Sequence, residues 1–165
     1  MEVAIKNEDL MEIFNDSSRV YNCDESSIQV TPKTGKVIAV KGTKNVYEVA
    51  GGPEKANLTF LGTFNARGDI VTPSIVYPYV RMPAEVLKLM PENFSFGLSE
   101  SEWMKSNNFY EFISNVFIEW LNQNNILRPI ILFVDGHRSH MSLQLSTLCE
   151  NEGILLYIFP YICYQ

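Results

Sequence analysis

Residues 130–140 run IILFVDGHRSH. Five apolar residues in succession, Ile130 to Val134, show no polar alternation. That pattern suits a central strand covered on both faces. The run ends at Asp135, and the ends of inner strands are where sites collect in open α/β sheets. Residues 139–152 then read as an amphipathic helix with Met141, Leu145, Leu148 and Cys149 on one side. Gly153 is placed to end it. ILLYIF, residues 154–159, reads as a second buried strand, closed by Pro160.

Upstream, RVYNC (19–23) reads as a short strand that ends at a second acid, Asp24. Leu58–Phe64 and Ile70–Tyr77 flank NARGD (65–69), and two β-rich runs around a Gly-containing loop predict a hairpin. Pro73 predicts an edge strand or a bulge in the second run. Phe109, Phe112, Ile113, Val116, Phe117, Trp120 and Leu121 recur at helical spacing, so residues 109–121 form a helix whose stripe is core. Asn108 with Glu111 resembles a capping box, and Asn124–Asn125 a stop. Residues 31–57 read as a glycine- and proline-rich excursion with a strand-like piece at 36–40. Residues 78–106 read as loop with a helical turn near 84–89, and Trp103 there is expected to pack. Residues 9–15 read as a helix end or a linker. We therefore expect residues 1–18 to be a linker and 19–165 one domain. The order of elements predicts an α/β fold: a mixed sheet, hairpin plus parallel strands, with helices on its faces.

Composition narrows the function. Hydrophobic residues make up 46% and charged residues 19% of 165 positions, enough to bury a core. The three cysteines, Cys23, Cys149 and Cys163, form no CxxC pair, so neither a zinc cluster nor a disulfide framework is suggested. No apolar run has membrane-spanning length, so no membrane partner is expected. Net charge is −6, the wrong sign for a small autonomous DNA-binding module, whose affinity rests on phosphate contacts. A catalytic domain served by a separate DNA-binding region escapes that objection.

Asp24 and Asp135 are the candidate catalytic and metal-binding residues. If their strands are neighbours, the carboxylates converge and offer hard oxygen ligands for Mg²⁺ or Mn²⁺. The plainer alternative is that each Asp caps the element that follows it. His137 and His140 support the metal ligands or contact DNA, or else cap and pack the next helix. Lys33, Lys36, Lys41 and Lys44 form a basic stretch that lies along a DNA backbone or is an ordinary solvated loop. Gly42-Thr43-Lys44 lacks the glycine spacing of a P-loop, and no Gly-x-Ser-x-Gly elbow accompanies Ser26 or Ser27.

Six blocks, in order, carry a resemblance: RVYNCDESS, TPKTGKVIAVKGTKNV, NLTFLGTFNARGDIVTPSIVYP, SEWM, PIILFVDGHRSH and GILLYIFP. Together they span about Arg19 to Pro160 and resemble the DDE endonuclease domain of pogo/Tigger and jerky-like transposases, within the mariner superfamily. The resemblance implies a ribonuclease H-like fold and a three-carboxylate site for two divalent metals. It matches Asp24 to the first acid and Asp135 to the second. It implies DNA as partner, reached through a helix-turn-helix region absent from this chain, and action in the nucleus. Where the family has a proline-rich turn, a His and a third Asp, this chain has PYICYQ (160–165). We therefore expect the fold to be incomplete at its C-terminus, the activity weak or lost, and an uncovered sheet face prone to self-association. The competing expectation is a domesticated, non-catalytic nucleic-acid-associated or protein-interaction domain.

Overall fold

The computed structural model describes residues 7–30, 41–42, 57–101, 103–137 and 140–159. They form helix α1 (Asn7–Asn15), strands β1 (Val20–Gln29), β2 (Asn57–Asn65) and β3 (Ser74–Tyr77), helix α2 (Ala84–Leu89) and strand β4 (Ser95–Leu98). There follow helix α3 (106–123), strand β5 (Ile130–Val134), helix α4 (Leu143–Asn151) and strand β6 (Ile154–Ile158). The strands make one mixed sheet in the order β4-β3-β2-β1-β5-β6. β1–β2 and β2–β3 are antiparallel; β3–β4, β1–β5 and β5–β6 are parallel. The predicted α/β mixed sheet is therefore the observed one.

Helix α3 covers one face of the sheet. Phe109, Phe112, Ile113, Phe117 and Leu121 are buried against Tyr21 of β1, Leu61 of β2, Val76 of β3 and Leu132 of β5. Tyr21 meets Phe117 edge-on at 5.2 Å and Trp120 edge-on at 6.0 Å. Mid-helix, Ile113–Phe117 is a π turn, closed by the Ile118 N–H donating to the Ile113 carbonyl. Asn108 does not cap this helix: Lys105 is the N-cap, and the Asn108 amide donates to the Leu98 carbonyl at 3.2 Å. Asn125, with φ +52, ends it at the predicted place.

Five further expectations change. β1 runs past Cys23 to Gln29, so Asp24 sits inside the strand rather than after it. β4 was read as loop; it adds to β3 mainly through backbone pairing, and its burial is only partial. α4 starts at Leu143, capped by the Ser142 hydroxyl, which accepts from the Leu145 N–H, so Met141 stands outside the helix and is exposed. β6 is an edge strand, buried only at Ile154, with Tyr157 and Phe159 about half exposed. Trp103 is also exposed rather than packed.

The hairpin turn follows the sequence closely. The Asn65 side chain accepts from the N–H groups of Arg67 and Asp69, and Gly68 adopts φ +98, where a side chain would be strained. Pro73 falls in the break between the single Phe64–Ile70 bridge and β3. α1 lies on the other sheet face, with Ile13 buried and Phe14 against Phe133 at 6.4 Å.

Candidate metal centre

Asp24 lies on β1 and Asp135 follows directly on β5. The two strands run parallel, with Val20 opposite Ile131, Tyr21 opposite Leu132 and Asn22 opposite Phe133. The pairing ends there; continued for two residues, it would bring Asp24 level with Asp135. Neighbouring strands lie about 4.8 Å apart.

Their surroundings differ. Asp24 is exposed, and its Oδ1 accepts from the Glu25 N–H at 2.8 Å. The Asp135 side chain is 53% exposed and more firmly held. Its Oδ1 lies 2.8 Å from His140 Nδ1 and accepts from the His137 N–H at 3.1 Å. The His140 ring is 2% exposed and packs on Phe109 with centroids 4.3 Å apart. Its Nδ1 also lies 3.2 Å from the Asp135 carbonyl, and its Nε2 lies 3.1 Å from Glu25 Oε1.

Burial pulls the His140 pKa down, but the hydrogen bonds to Glu25 and to the Asp135 carbonyl, with both carboxylate charges, outweigh it, and the net shift is upward. Both ring nitrogens face acceptors, and both donate only in the protonated ring. Burial likewise pushes the Cys23 thiol up to about 12, against a hydrogen bond from Thr63, while the charges of Glu25, Asp24 and Asp135 add to the rise. Cys23 is therefore a buried, protonated thiol at neutral pH.

The donor chemistry fits a hard divalent cation in part. Two solvent-facing carboxylates suit Mg²⁺ or Mn²⁺. Among the described residues, no three His, Cys, Asp or Glu side chains are disposed to share an ion. The His137 ring is exposed, 6.2 Å from the His140 ring. Lys41 is exposed; Lys33, Lys36 and Lys44 lie outside the described residues. Glu25 went unnoticed in the sequence. Strand alternation was the available signal: Tyr21, Cys23 and Glu25 share a face, so an acid follows two core residues and needs a partner.

The fold is shared with the Mos1 transposase. The Mos1 paired-end complex with the left transposon end matches with TM-score 0.53 at 14% identity, over 96% of this chain and 40% of that one. The Mos1 mariner paired-end complex with Mn gives 0.52 at 14%, over 96% and 41%. The corresponding complex with Mg gives 0.51 at 13%, over 93% and 40%. At these identities the likeness is one of fold, and the chain spans about two fifths of the Mos1 chains. In sequence, the chain is 25% identical over 145 residues to a protein named MFS-type transporter clz9 of Cochliobolus lunatus, covering 86% of this chain and 16% of that protein. No described helix is long and apolar enough to cross a membrane. No family model matches the sequence.

Proposed function

We propose that this chain is a transposase-derived endonuclease domain of the pogo/Tigger type, acting in the nucleus on DNA, with Asp24 and Asp135 as ligands for Mg²⁺ or Mn²⁺. The observation that supports this reading is the parallel β1–β5 register, whose continuation beyond Asn22 and Phe133 would bring both acids level, in a fold shared with the Mos1 transposase. The Mos1 complexes that contain transposon ends, Mn or Mg favour the same partner and the same class of cation.

A divalent cation held here would neutralise charge on a phosphodiester and its leaving oxygen. The chain's own residues do the rest. Asp24 offers a carboxylate little constrained by neighbours. Asp135 offers one whose Oδ1 is already engaged by His137 and His140. Water or a DNA 3′-hydroxyl is the nucleophile for hydrolysis or strand transfer.

Two carboxylates secure one ion but not the paired clamp that a two-metal reaction uses. We therefore expect Mn²⁺ to bind this chain, with little nicking of supercoiled plasmid in Mg²⁺ or Mn²⁺. Absence of Mn²⁺ binding removes the metal-centre reading. Robust nicking that disappears in Asp135→Ala overturns the expectation of weak activity. Since no three ligating side chains gather among the described residues, a second reading is a domesticated, non-catalytic nucleic-acid-associated or protein-interaction domain. That reading predicts DNA or protein binding indifferent to Mn²⁺.

Self-association belongs to the same proposal. Phe14, Leu127, Tyr157 and Phe159 are exposed beside Phe133, along a groove of about 1220 Å³ on the β5–β6 face. Apolar surface of this kind favours burial against another surface. Sedimentation over a rising concentration series is expected to show association; a persistent monomer refutes it.

A further inference from the structure

We propose that Glu25 is a positioning residue: acting through His140, it holds the Asp135 carboxylate in one orientation, with Oδ1 engaged and Oδ2 left for a divalent cation. The inference rests on the reading of Asp135 as a cation ligand, and extends it to a residue with no previous role in the site.

Glu25 projects from β1 on the side of Tyr21 and Cys23, opposite to Asp24. Its side chain is 19% exposed, and its Oε1 meets His140 Nε2 at 3.1 Å. The other ring nitrogen meets Asp135 Oδ1 at 2.8 Å. One imidazole therefore spans two acids, from β1 and from the end of β5. The ring has little freedom of its own: it is buried, and Phe109 lies against it.

The contacts on Asp135 have a direction. The His137 N–H donates to Oδ1, and His140 Nδ1, hydrogen-bonded to the Asp135 carbonyl at 3.2 Å, lies 2.8 Å from the same Oδ1. Among the described residues none addresses Oδ2. A carboxylate held by one oxygen presents the other without first losing rotational freedom, which is how supporting hydrogen bonds raise the affinity of metal ligands. Without Glu25, His140 Nε2 lacks its acceptor, the ring is held only by its burial against Phe109 and by the Asp135 carbonyl, and the placing of Nδ1 beside Oδ1 becomes less exact. A purely structural bridge would stabilise the fold and leave cation affinity alone.

Three variants separate reach from charge. Glu25→Asp keeps the charge but is one methylene shorter, so it no longer spans the 3.1 Å contact. Glu25→Gln keeps the reach and an oxygen acceptor. Glu25→Ala removes both. Each retains the backbone N–H that Asp24 accepts from. Mn²⁺ affinity of the full chain is read by electron paramagnetic resonance of the free ion. The His140 ring N–H protons of the cation-free chain are followed by nuclear magnetic resonance, and melting temperature controls for folding.

The expected result is about a tenfold loss of Mn²⁺ affinity in Glu25→Asp and Glu25→Ala, with Glu25→Gln restoring part of it. The Nε2 proton signal should be lost or broadened in the Asp and Ala variants. If Glu25→Ala does not fold, the Asp and Gln variants decide. Wild-type Mn²⁺ binding that persists unchanged in Glu25→Asp overturns the proposal and leaves the metal centre standing. A wild-type chain that binds no Mn²⁺ overturns the metal centre, and the proposal with it.

Discussion

Replacing Asp135 with alanine is expected to remove cation binding and lower stability together, whereas Asp24→Ala should remove cation binding alone. The difference follows from what each carboxylate touches. Asp24 is exposed and accepts only from the N–H of its own neighbour, Glu25, among the described contacts. Its loss removes one of three nearby negative charges and leaves no buried group unpaired. Stability should stay within about 0.5 kcal/mol of wild type. Asp135 also anchors the buried His140 at Nδ1 and caps the His137 N–H. Alanine there leaves His140 only the carbonyl of residue 135 at that nitrogen. His140 Nδ1 keeps that hydrogen bond and loses only the neighbouring charge, while the His137 N–H loses its acceptor, so the cost should be about 1 kcal/mol, the net value of one hydrogen bond.

Both substitutions take one of two carboxylates from the site, so each should weaken Mn²⁺ binding by well over about tenfold, because affinity at such sites follows the number of charged oxygen ligands. Asp135→Asn separates the two roles. It keeps an oxygen for His140 but not the charge, so stability should recover more than cation affinity. Mn²⁺ titration with chemical denaturation of the three variants tests this. Wild-type affinity in both alanine variants would falsify the assignment of the two acids.

How far the sequence foretold this arrangement depends on which residues carry each element. β2 and β5 were legible because their apolar runs are buried strand cores. The second half of β1 was not. Asp24 to Gln29 is polar but for the exposed Ile28, and pairs only with β2 among the described strands, so no hydrophobic pattern marks it. β4 was missed because Ser95–Leu98 is short and contains Gly97. The π turn in α3 was invisible because the same apolar pairs satisfy helical and π spacing over so few residues. At the site, the two acids were legible as strand-associated residues. The link between Glu25 and His140 was not, because the contact depends on the β1–β5 pairing and on α3 burying the ring through Phe109.

Phe117→Ala should destabilise the fold more than either aspartate substitution. Phe117 is fully buried, sits in the π turn of α3 and meets Tyr21 edge-on at 5.2 Å. Truncating a buried Phe costs about 3–5 kcal/mol through lost transfer energy and the cavity left behind. Domains of this size have about 5–15 kcal/mol in total, so about a fifth or more of the stability is at stake. The melting temperature should fall by roughly 10 °C. The consequence reaches the site, because Tyr21 belongs to the same strand as Asp24 and Glu25, and its ring also meets Trp120. Helix α3 thus fixes β1 through Tyr21 and covers His140 through Phe109, and loosening it should weaken Mn²⁺ binding as well as folding. A double-mutant cycle with Tyr21→Ala should show coupling of about 0.5–1.5 kcal/mol, the value of an aromatic pair beyond its buried area. A Phe117→Ala loss below about 1.5 kcal/mol, with no coupling to Tyr21, would mean that α3 does not dock on β1 as described, and the mutual placement of Glu25, His140 and Asp135 would lose its support.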